Sequence, residues 1–503
     1  MSSASVVARA AAGVARLFYQ LEIVGERPPA AGPLLLVANH PNSLLDTALV
    51  TLATGRPARF LAKSTLFDDR TVGWLVRASG AIPVYRQQDA GAQDAGAQDA
   101  GAAGEPATAR AAGNAAMFRA AEGALGAGDA IALFPEGTSH TRPSLAPLKT
   151  GAARLALGAA RHLGGAFPLV PIGITLDDRA VFRSTGLLVV GAPIAWDDLA
   201  ARVRASGAPD ADDLDHDAVR ALTARIDEAL RAVTAGYESW DDARLVTAAE
   251  RVHTAAVEAA RIGLPGAGGK TPLVAQIEPP PDGSGLASGV SAATAGRLGR
   301  YHLGAALLRR ARAEGGEDGR AALASLARAL RDHERLLGVL RLAPADLAVP
   351  SDLGTAAGWA KRRLWLPLVA ALVAFGTVLA WVPYRLTGVL AARATAPDER
   401  DVLATSKALL GGACFLVWTL LLAAAAGVAV AWWAALLVLL LAPPLYVLTL
   451  FAGEGWRLAW RDARRFFTLR GRPDRVAGLR ARQAALARRV EAVAAQLGAP
   501  ARR

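Results

Sequence analysis

Residues 34–53, LLLVANHPNSLLDTALVTLA, decide how this chain is read. Leu34 to Ala38 is a short apolar run closed by Asn39-His40 and the turn-forming Pro41-Asn42-Ser43. Leu44 to Ala53 then resumes with apolar residues at helical spacing. A short run bounded by turn residues reads as a buried strand, and the periodic stretch after it as a helix. His40 and Asp46 lie at this junction. On one continuous helix, six steps would leave their side chains about 120° apart. With His40 at the strand end, Asn42 or Ser43 as the cap and Asp46 in the first helical turn, the two can meet. A carboxylate against one ring nitrogen fixes the imidazole tautomer and frees the other nitrogen to take a proton from a hydroxyl. The same pair is also compatible with a structural histidine beside an ordinary helix acid, so other residues must decide.

Outward from this junction, strand-like and helix-like pieces alternate from residue 30 to 195. The expected strands are Leu34 to Ala38, Arg59 to Ala62, Ile82 to Tyr85, Ile131 to Phe134, Leu169 to Ile174 and Leu187 to Gly191. The expected helices include Leu44 to Ala53, Val72 to Ser79, Asn114 to Leu125 and Ala152 to His162. The alternation predicts an α/β domain, a sheet flanked by helices. A repeated pentapeptide, QDAGAQDAGAQDAGA at 88–102, interrupts it and reads as a flexible surface insertion.

From about 205 to 350 the pattern is mainly helical. GLPGAGGKTPL there resembles a phosphate-binding loop, but the required glycine is replaced by Leu264 and no strand precedes it. Residues 364–384 and 408–453 carry no charge, enough for one membrane span and a hairpin. Trp365, Trp381, Trp432, Trp433 and Tyr446 are candidate interfacial anchors. An even number of crossings suits the positive-inside tendency better than three. Beyond Gly453 there are 13 arginines against the acids Glu454, Asp462, Asp474 and Glu491. After such apolar runs a basic tail suits an anionic membrane surface better than nucleic acid. The net charge of +12 reflects that tail, and the single Cys414 allows no internal disulfide. The N-terminal stretch has no signal-peptide pattern; Val6, Ala10, Val14, Leu17, Phe18 and Leu21 recur at helical spacing, for a membrane surface or for the domain's own core. The abundance of Ala, Arg and Gly suits a high-GC bacterial genome.

The expected organisation is an amphipathic N-terminal helix (1–29), the α/β domain (30–204, with the insertion spanning 88–112) and a helical region (205–360). Two or three membrane helices (361–453) and an Arg-rich membrane-surface tail (454–503) complete it.

Four stretches of the α/β domain carry groups suited to chemistry. The first is the His40–Asp46 junction. In the second, IALFPEGTSHTRP at 131–143, Pro135-Glu136-Gly137-Thr138 follows a strand directly. Gly137 permits close approach of a ligand to the backbone, and strand ends are where α/β domains bind ligands. In the third, GAIPVYR, Arg86 closes a strand and offers a guanidinium to a phosphate. In the fourth, LVPIGIT at 169–175, Pro171 suggests an edge position or a bulge.

In this order, these stretches resemble the glycerolipid (phospholipid/glycerol) acyltransferase family over about residues 20–195, and PLKTGAARLAL at 147–157 resembles the segment after the family's third motif. The resemblance implies His40 as general base and Asp46 as its orienting partner. It implies Arg86, Glu136, Gly137 and Thr138 in an acceptor and phosphate site, and Pro171 near the acyl donor. Five residues rather than the commoner four separate His40 from Asp46, as in a branch similar to fungal glycerol-3-phosphate acyltransferases, which also shares Asn42. Ser139 stands where the family has a basic residue; Arg142 or Lys149 is the candidate replacement.

The expected activity is transfer of a fatty acyl group from acyl-CoA or acyl carrier protein to glycerol-3-phosphate or lysophosphatidate, in the cytoplasmic membrane of a bacterium with the active domain facing the cytoplasm. No metal, cofactor or nucleic-acid partner is expected. No Gly-x-Ser-x-Gly elbow is present, which argues against a serine acyl-enzyme. A thioesterase, in which His40 activates water, and a non-catalytic membrane scaffold are the rival readings.

Overall fold

The computed structural model describes residues 3–69, 72–84, 107–206, 215–267, 304, 308, 316–363, 366–395 and 402–498. The chain divides into two compact units. One is drawn mainly from Met1–Gly236 with Thr395–Ala408, the other from Tyr237–Pro281, Gly299–Ala394 and Leu409–Arg503.

The first unit is built on a seven-stranded sheet. Its strands are β1 (Gln20–Val24), β2 (Leu34–Ala38), β3 (Arg59–Lys63), β4 (Ile82–Val84), β5 (Ala130–Leu133), β6 (Leu169–Leu176) and β7 (Thr185–Val190), in the order β1-β7-β6-β2-β5-β3-β4. Neighbouring strands are parallel except β6 and β7. β2 lies at the centre, and every one of its residues is buried. Leu34, Leu36 and Ala38 face a layer that includes α1 (Ser3–Phe18) and α2 (Leu44–Thr54), where Phe18, Leu45 and Leu49 complete the core. Leu35 and Val37 face the opposite layer, with Leu125 of α5 (Ala107–Gly126) and Leu157 of α6 (Gly151–Leu163). Burial on both faces is why β2 is a continuous apolar run rather than an alternating one. The short α3 (Thr65–Asp68) and α4 (Gly73–Ala78) link β3 to β4.

Three differences from the sequence reading have physical causes. The N-terminal helix stops at Phe18, and Gln20–Val24 is an edge strand paired with β7; the half-exposed strand has too little pattern to stand out after a helix. The α/β unit continues past 204: α7 (Asp197–Ser206) and α8 (His216–Val233) supply Leu199, Val203, Leu222, Ile226 and Leu230 to the second face of the sheet. Pro171 is neither on an edge strand nor at a bulge. β6 lies between β7 and β2, and the antiparallel ladder ends at this position, where the Gly191 amide donates to the Pro171 carbonyl at 2.9 Å. A ladder end needs no N–H from proline. Tyr85, Arg86 and the pentapeptide repeat lie outside the described residues, and Ala107–Gly126 is helical from within the expected insertion.

The second unit is helical: α9 (Trp240–Arg261), α10 (Gly316–Val339), a 3-10 turn (Pro344–Ala348), α11 (Leu353–Arg362), α12 (Leu366–Ala394), most of α13 (Leu403–Ala429), α14 (Trp432–Gly471) and α15 (Pro473–Gly498). Among the described residues, three helices are long and apolar enough to cross a membrane: Val369–Ala394, Leu403–Ala429 and Trp432–Gly471. Pro383 in α12 cannot donate to the carbonyl four residues back, and the Trp418 indole of α13 donates to that Leu379 oxygen at 2.9 Å. Trp381, Trp432 and Trp433 are exposed, as interfacial anchors require, and Trp365 lies outside the described residues. Tyr446 instead packs against Phe415 and within reach of Thr419. The Arg-rich segment is not a free tail. Leu469, Val476 and Leu486 are buried against α10 and neighbouring residues, and the buried Arg480 donates to the Leu347 carbonyl.

A β-carbon at Gly173 in β6 would sit 1.9 Å from the carbonyl oxygen of Val233, at the end of α8. Gly173→Ala must push α8 off the sheet and is expected to cost about 1–3 kcal/mol. Thermal unfolding of the purified variant checks this; an unchanged Tm contradicts it.

Candidate active site

His40 sits where the central strand ends. Asn39 prolongs the pairing with β6: its side-chain oxygen accepts from the Ile174 amide at 2.7 Å and its Nδ2 donates to the Ile174 carbonyl at 2.9 Å. The chain then bends through Pro41, Asn42 and Ser43, which takes a left-handed φ of 54° before α2 starts at Leu44. Ser43 holds the cap position without a side-chain cap bond. This bend brings Asp46 of the first turn to His40, with Nδ1 and Oδ2 2.9 Å apart. The same Asp46 oxygen accepts the Asn42 amide at 2.7 Å. The carboxylate has no exposure to solvent. It holds the proton of neutral His40 on Nδ1, leaving Nε2 as the basic nitrogen. The imidazole lies flat on the Phe134 ring, centroids 3.9 Å apart. Burial raises the Asp46 carboxyl above its ordinary 3.8, opposed by His40, the Asn42 amide and Arg179.

The second motif forms the wall beside this pair. Glu136 is buried and its oxygens are occupied. Oε1 accepts the His40 amide at 2.8 Å, and Oε2 accepts the Ala146 amide at 2.7 Å and bonds the His140 ring. Burial alone would raise this carboxyl; the bonds from His140, Ala146 and His40 outweigh it and hold it below the ordinary value. Glu136 therefore ties the His40 loop to the 140–146 loop and is not open to a substrate. Gly137 adopts a left-handed φ of 77°, its amide closing a turn on the Phe134 carbonyl. A β-carbon there would lie 2.8 Å from Lys149 Nζ, so the lysine side chain crosses over the glycine. Lys149 is held in place by its amide, which donates to the Pro135 carbonyl at 2.8 Å. Thr138 is exposed and its hydroxyl is 3.3 Å from the Ser139 carbonyl. Arg142 is exposed, and its amide donates to His140 Nδ1 at 3.2 Å.

Of the residues singled out in the sequence, the structure thus joins His40 with Asp46 and places Lys149 over Gly137. Asn42 is fully buried and its side chain donates to the Tyr19 hydroxyl. Pro171 pairs with Val37 inside the sheet. Arg86 lies outside the described residues. Sequence reasoning missed Tyr19, Asn39, His140 and Arg179. Arg179 Nη1 donates to the Pro41 carbonyl at 3.1 Å and the His140 carbonyl at 2.9 Å, bracing both loops. Its own carbonyl accepts from Tyr19, whose phenol is pushed up by burial and by Asp46. His140, four residues beyond Glu136, had a local signal; the other three act through backbone groups far along the chain.

A buried carboxylate–imidazole pair at a strand-to-helix bend has the chemistry to take a proton from a hydroxyl. The acyltransferase family model matches residues 20–175 of this chain. Glycerol-3-phosphate O-acyltransferase 2 of Saccharomyces cerevisiae is 34% identical over 124 residues, 24% of this chain and 16% of that protein. Glycerol-3-phosphate O-acyltransferase 1 of the same yeast is 31% identical over 125 residues, with the same shares. An uncharacterized acyltransferase of Schizosaccharomyces pombe is 27% identical over 237 residues, 34% of this chain and 35% of that protein. The chain matches only part of each relative's length. All three relatives are fungal, which lends no support to the bacterial source expected from composition.

Because the Asp46 carboxyl is raised in the folded protein, its contribution to stability is fully present below the unfolded value of 3.8 and lost as pH rises through the folded value. Asp46→Asn removes this dependence. The Tm difference, variant minus wild type, should therefore be larger at pH 7 than at pH 4. A smaller difference at pH 7 contradicts the assignment.

Proposed function

We propose that the protein is a membrane-bound O-acyltransferase that moves a fatty acyl group from acyl-CoA or acyl carrier protein to a hydroxyl of glycerol-3-phosphate in phospholipid synthesis. The observation that carries this reading is the His40–Asp46 pair, 2.9 Å apart with the carboxylate buried, inside a segment of the acyltransferase family. His40 Nε2 takes the acceptor hydroxyl proton as the oxygen attacks the thioester carbonyl. The tetrahedral intermediate collapses, the carbon–sulfur bond breaks, and the proton passes from His40 to the leaving sulfur. Asp46 holds the tautomer and stabilises the imidazolium. The Gly137 amide is committed to its turn; donors near Glu136, Gly137 and Thr138 would stabilise the developing oxyanion.

Lys149 supports the choice of a phosphorylated acceptor: it brings a cation to the Gly137 turn where Ser139 replaces the usual basic residue. Arg86 is the second candidate for that phosphate. Lysophosphatidate or another lysophospholipid is the alternative acceptor, since it offers the same pair of groups; the names of the two Saccharomyces relatives favour glycerol-3-phosphate. The apolar helices favour a membrane location. The cytoplasmic side of a bacterial inner membrane rests on where acyl thioesters are supplied and on the composition of the chain.

General-base help is worth about 10²- to 10⁴-fold, and His40→Ala should lose turnover on that scale while the protein stays folded. Near-normal turnover would sink the mechanism. Lys149→Met should raise the glycerol-3-phosphate KM about tenfold or more, a charge-assisted bond's worth, with acyl-CoA KM little changed. An unchanged acceptor KM removes Lys149 from the phosphate site.

A further inference from the structure

The loop between β6 and β7, residues 177–184, is stiff for a surface connection. The Asp177 amide donates to the Thr185 carbonyl at 3.0 Å, the Asp178 amide to the Ser184 hydroxyl at 2.9 Å, the Ala180 amide to the Asp178 carboxylate at 3.0 Å and the Ser184 amide to the Val181 carbonyl at 3.1 Å. Arg183 takes a left-handed φ of 64°, rare for a side-chain-bearing residue. Its Nη1 lies 3.2 Å from the Arg16 carbonyl and 3.1 Å from the Leu17 carbonyl, closing the end of α1. Four residues earlier, Arg179 grips the carbonyls of Pro41, next to His40, and of His140.

The other end of this loop is held by a residue from far along the chain. Lys407, in the second turn of α13, donates from Nζ to the Ala180 carbonyl at 2.7 Å, across 227 positions of sequence. Ala404 and Ala408, on the same helix, pack into the core beneath β2 and α2. These turns belong to the first unit, and the uncharged run that makes α13 a candidate span begins directly after Lys407. Lys407 is half-buried beside an apolar run, and its ammonium directs a hydrogen bond to one loop carbonyl. What Ala180 adjoins is Arg179.

We propose that Lys407 is a positioning residue for the active site: through the Ala180 carbonyl it sets the 177–184 loop, and through Arg179 that loop sets the His40 and His140 segments. The proposal rests on His40 as the reacting base, and it makes the start of a lipid-directed helix part of the catalytic framework. Lys407 touches no reacting atom. Its effect passes along a chain of hydrogen bonds in a pre-stiffened loop, the kind of coupling a double-mutant cycle detects.

The test uses the full chain in lipid nanodiscs, with Lys407→Met, Lys407→Arg, Arg179→Met and the double variant Lys407→Met/Arg179→Met. Lys407→Met should lower kcat about five- to thirtyfold, with the substrate KM values and Tm close to wild type, and Lys407→Arg should restore most of it. In the Arg179→Met background, Lys407→Met should add little. A second readout is independent of acyl transfer: the rate at which diethyl pyrocarbonate modifies His40, followed by mass spectrometry. It should change in Lys407→Met and recover in Lys407→Arg. A wild-type protein with no transferase activity would overturn the proposed function, and the His40 modification rate would then still decide the role of Lys407. Unchanged kcat and modification rate, full additivity with Arg179→Met, or a lowered Tm with normal kcat would each overturn the inference.

Discussion

The site depends on keeping one carboxylate dry. Asp46 has no contact with solvent, and a buried charge is tolerated only where hydrogen bonds replace water. Two donors do so, His40 Nδ1 and the Asn42 amide, both converging on Oδ2. That convergence requires the bend at Pro41 to Ser43, and the bend is held from outside by Glu136 on the His40 amide and Arg179 on the Pro41 carbonyl. The extra residue between His40 and Asp46 is accommodated in this bend. The architecture around it follows: a central strand buried on both faces, one loop from β5 and one from β6 meeting over its end.

Much of this frame can be read from the chain because it is local. Leu34 to Ala38 and Leu44 to Thr54 announce a strand and a helix by pattern alone, and the His40–Asp46 pair spans only the turn between them. What could not be read acts over distance through backbone atoms, which carry no sequence signature. Glu136 looks like an acceptor-site acid until its partners are seen to be the amides of His40 and Ala146. Arg179 looks like any loop arginine until the Pro41 and His140 carbonyls are seen to lie against it. Gln20–Val24 was hidden for another reason: an edge strand directly after a helix keeps too few buried positions for a period to show. The arginines after Gly453 suggested a surface tail by charge, but Leu469, Val476 and Leu486 at buried positions make much of it a packed helix.

In the proposed reaction the two roles first given to one loop, binding the acceptor and shaping the site, fall to different residues. Glu136 and His140 shape; Lys149 and Thr138 remain to bind, at the glycine whose missing side chain leaves room for the lysine stem. Under the proposed reaction, Lys149, just before α6, would bring the charge that Ser139 does not supply, and discrimination between acceptors would fall to the groups around it.

In the proposed reaction the activated hydroxyl belongs to a glycerol phosphate and not to water. The most direct measurement follows thiol release from acyl-CoA by the purified protein, alongside labelled lipid product, with glycerol-3-phosphate, with lysophosphatidate and with neither. Thiol release should then require an acceptor and match acylated product one for one, fastest with glycerol-3-phosphate. Thiol release at the same rate without an acceptor, with free fatty acid as the product, would contradict it.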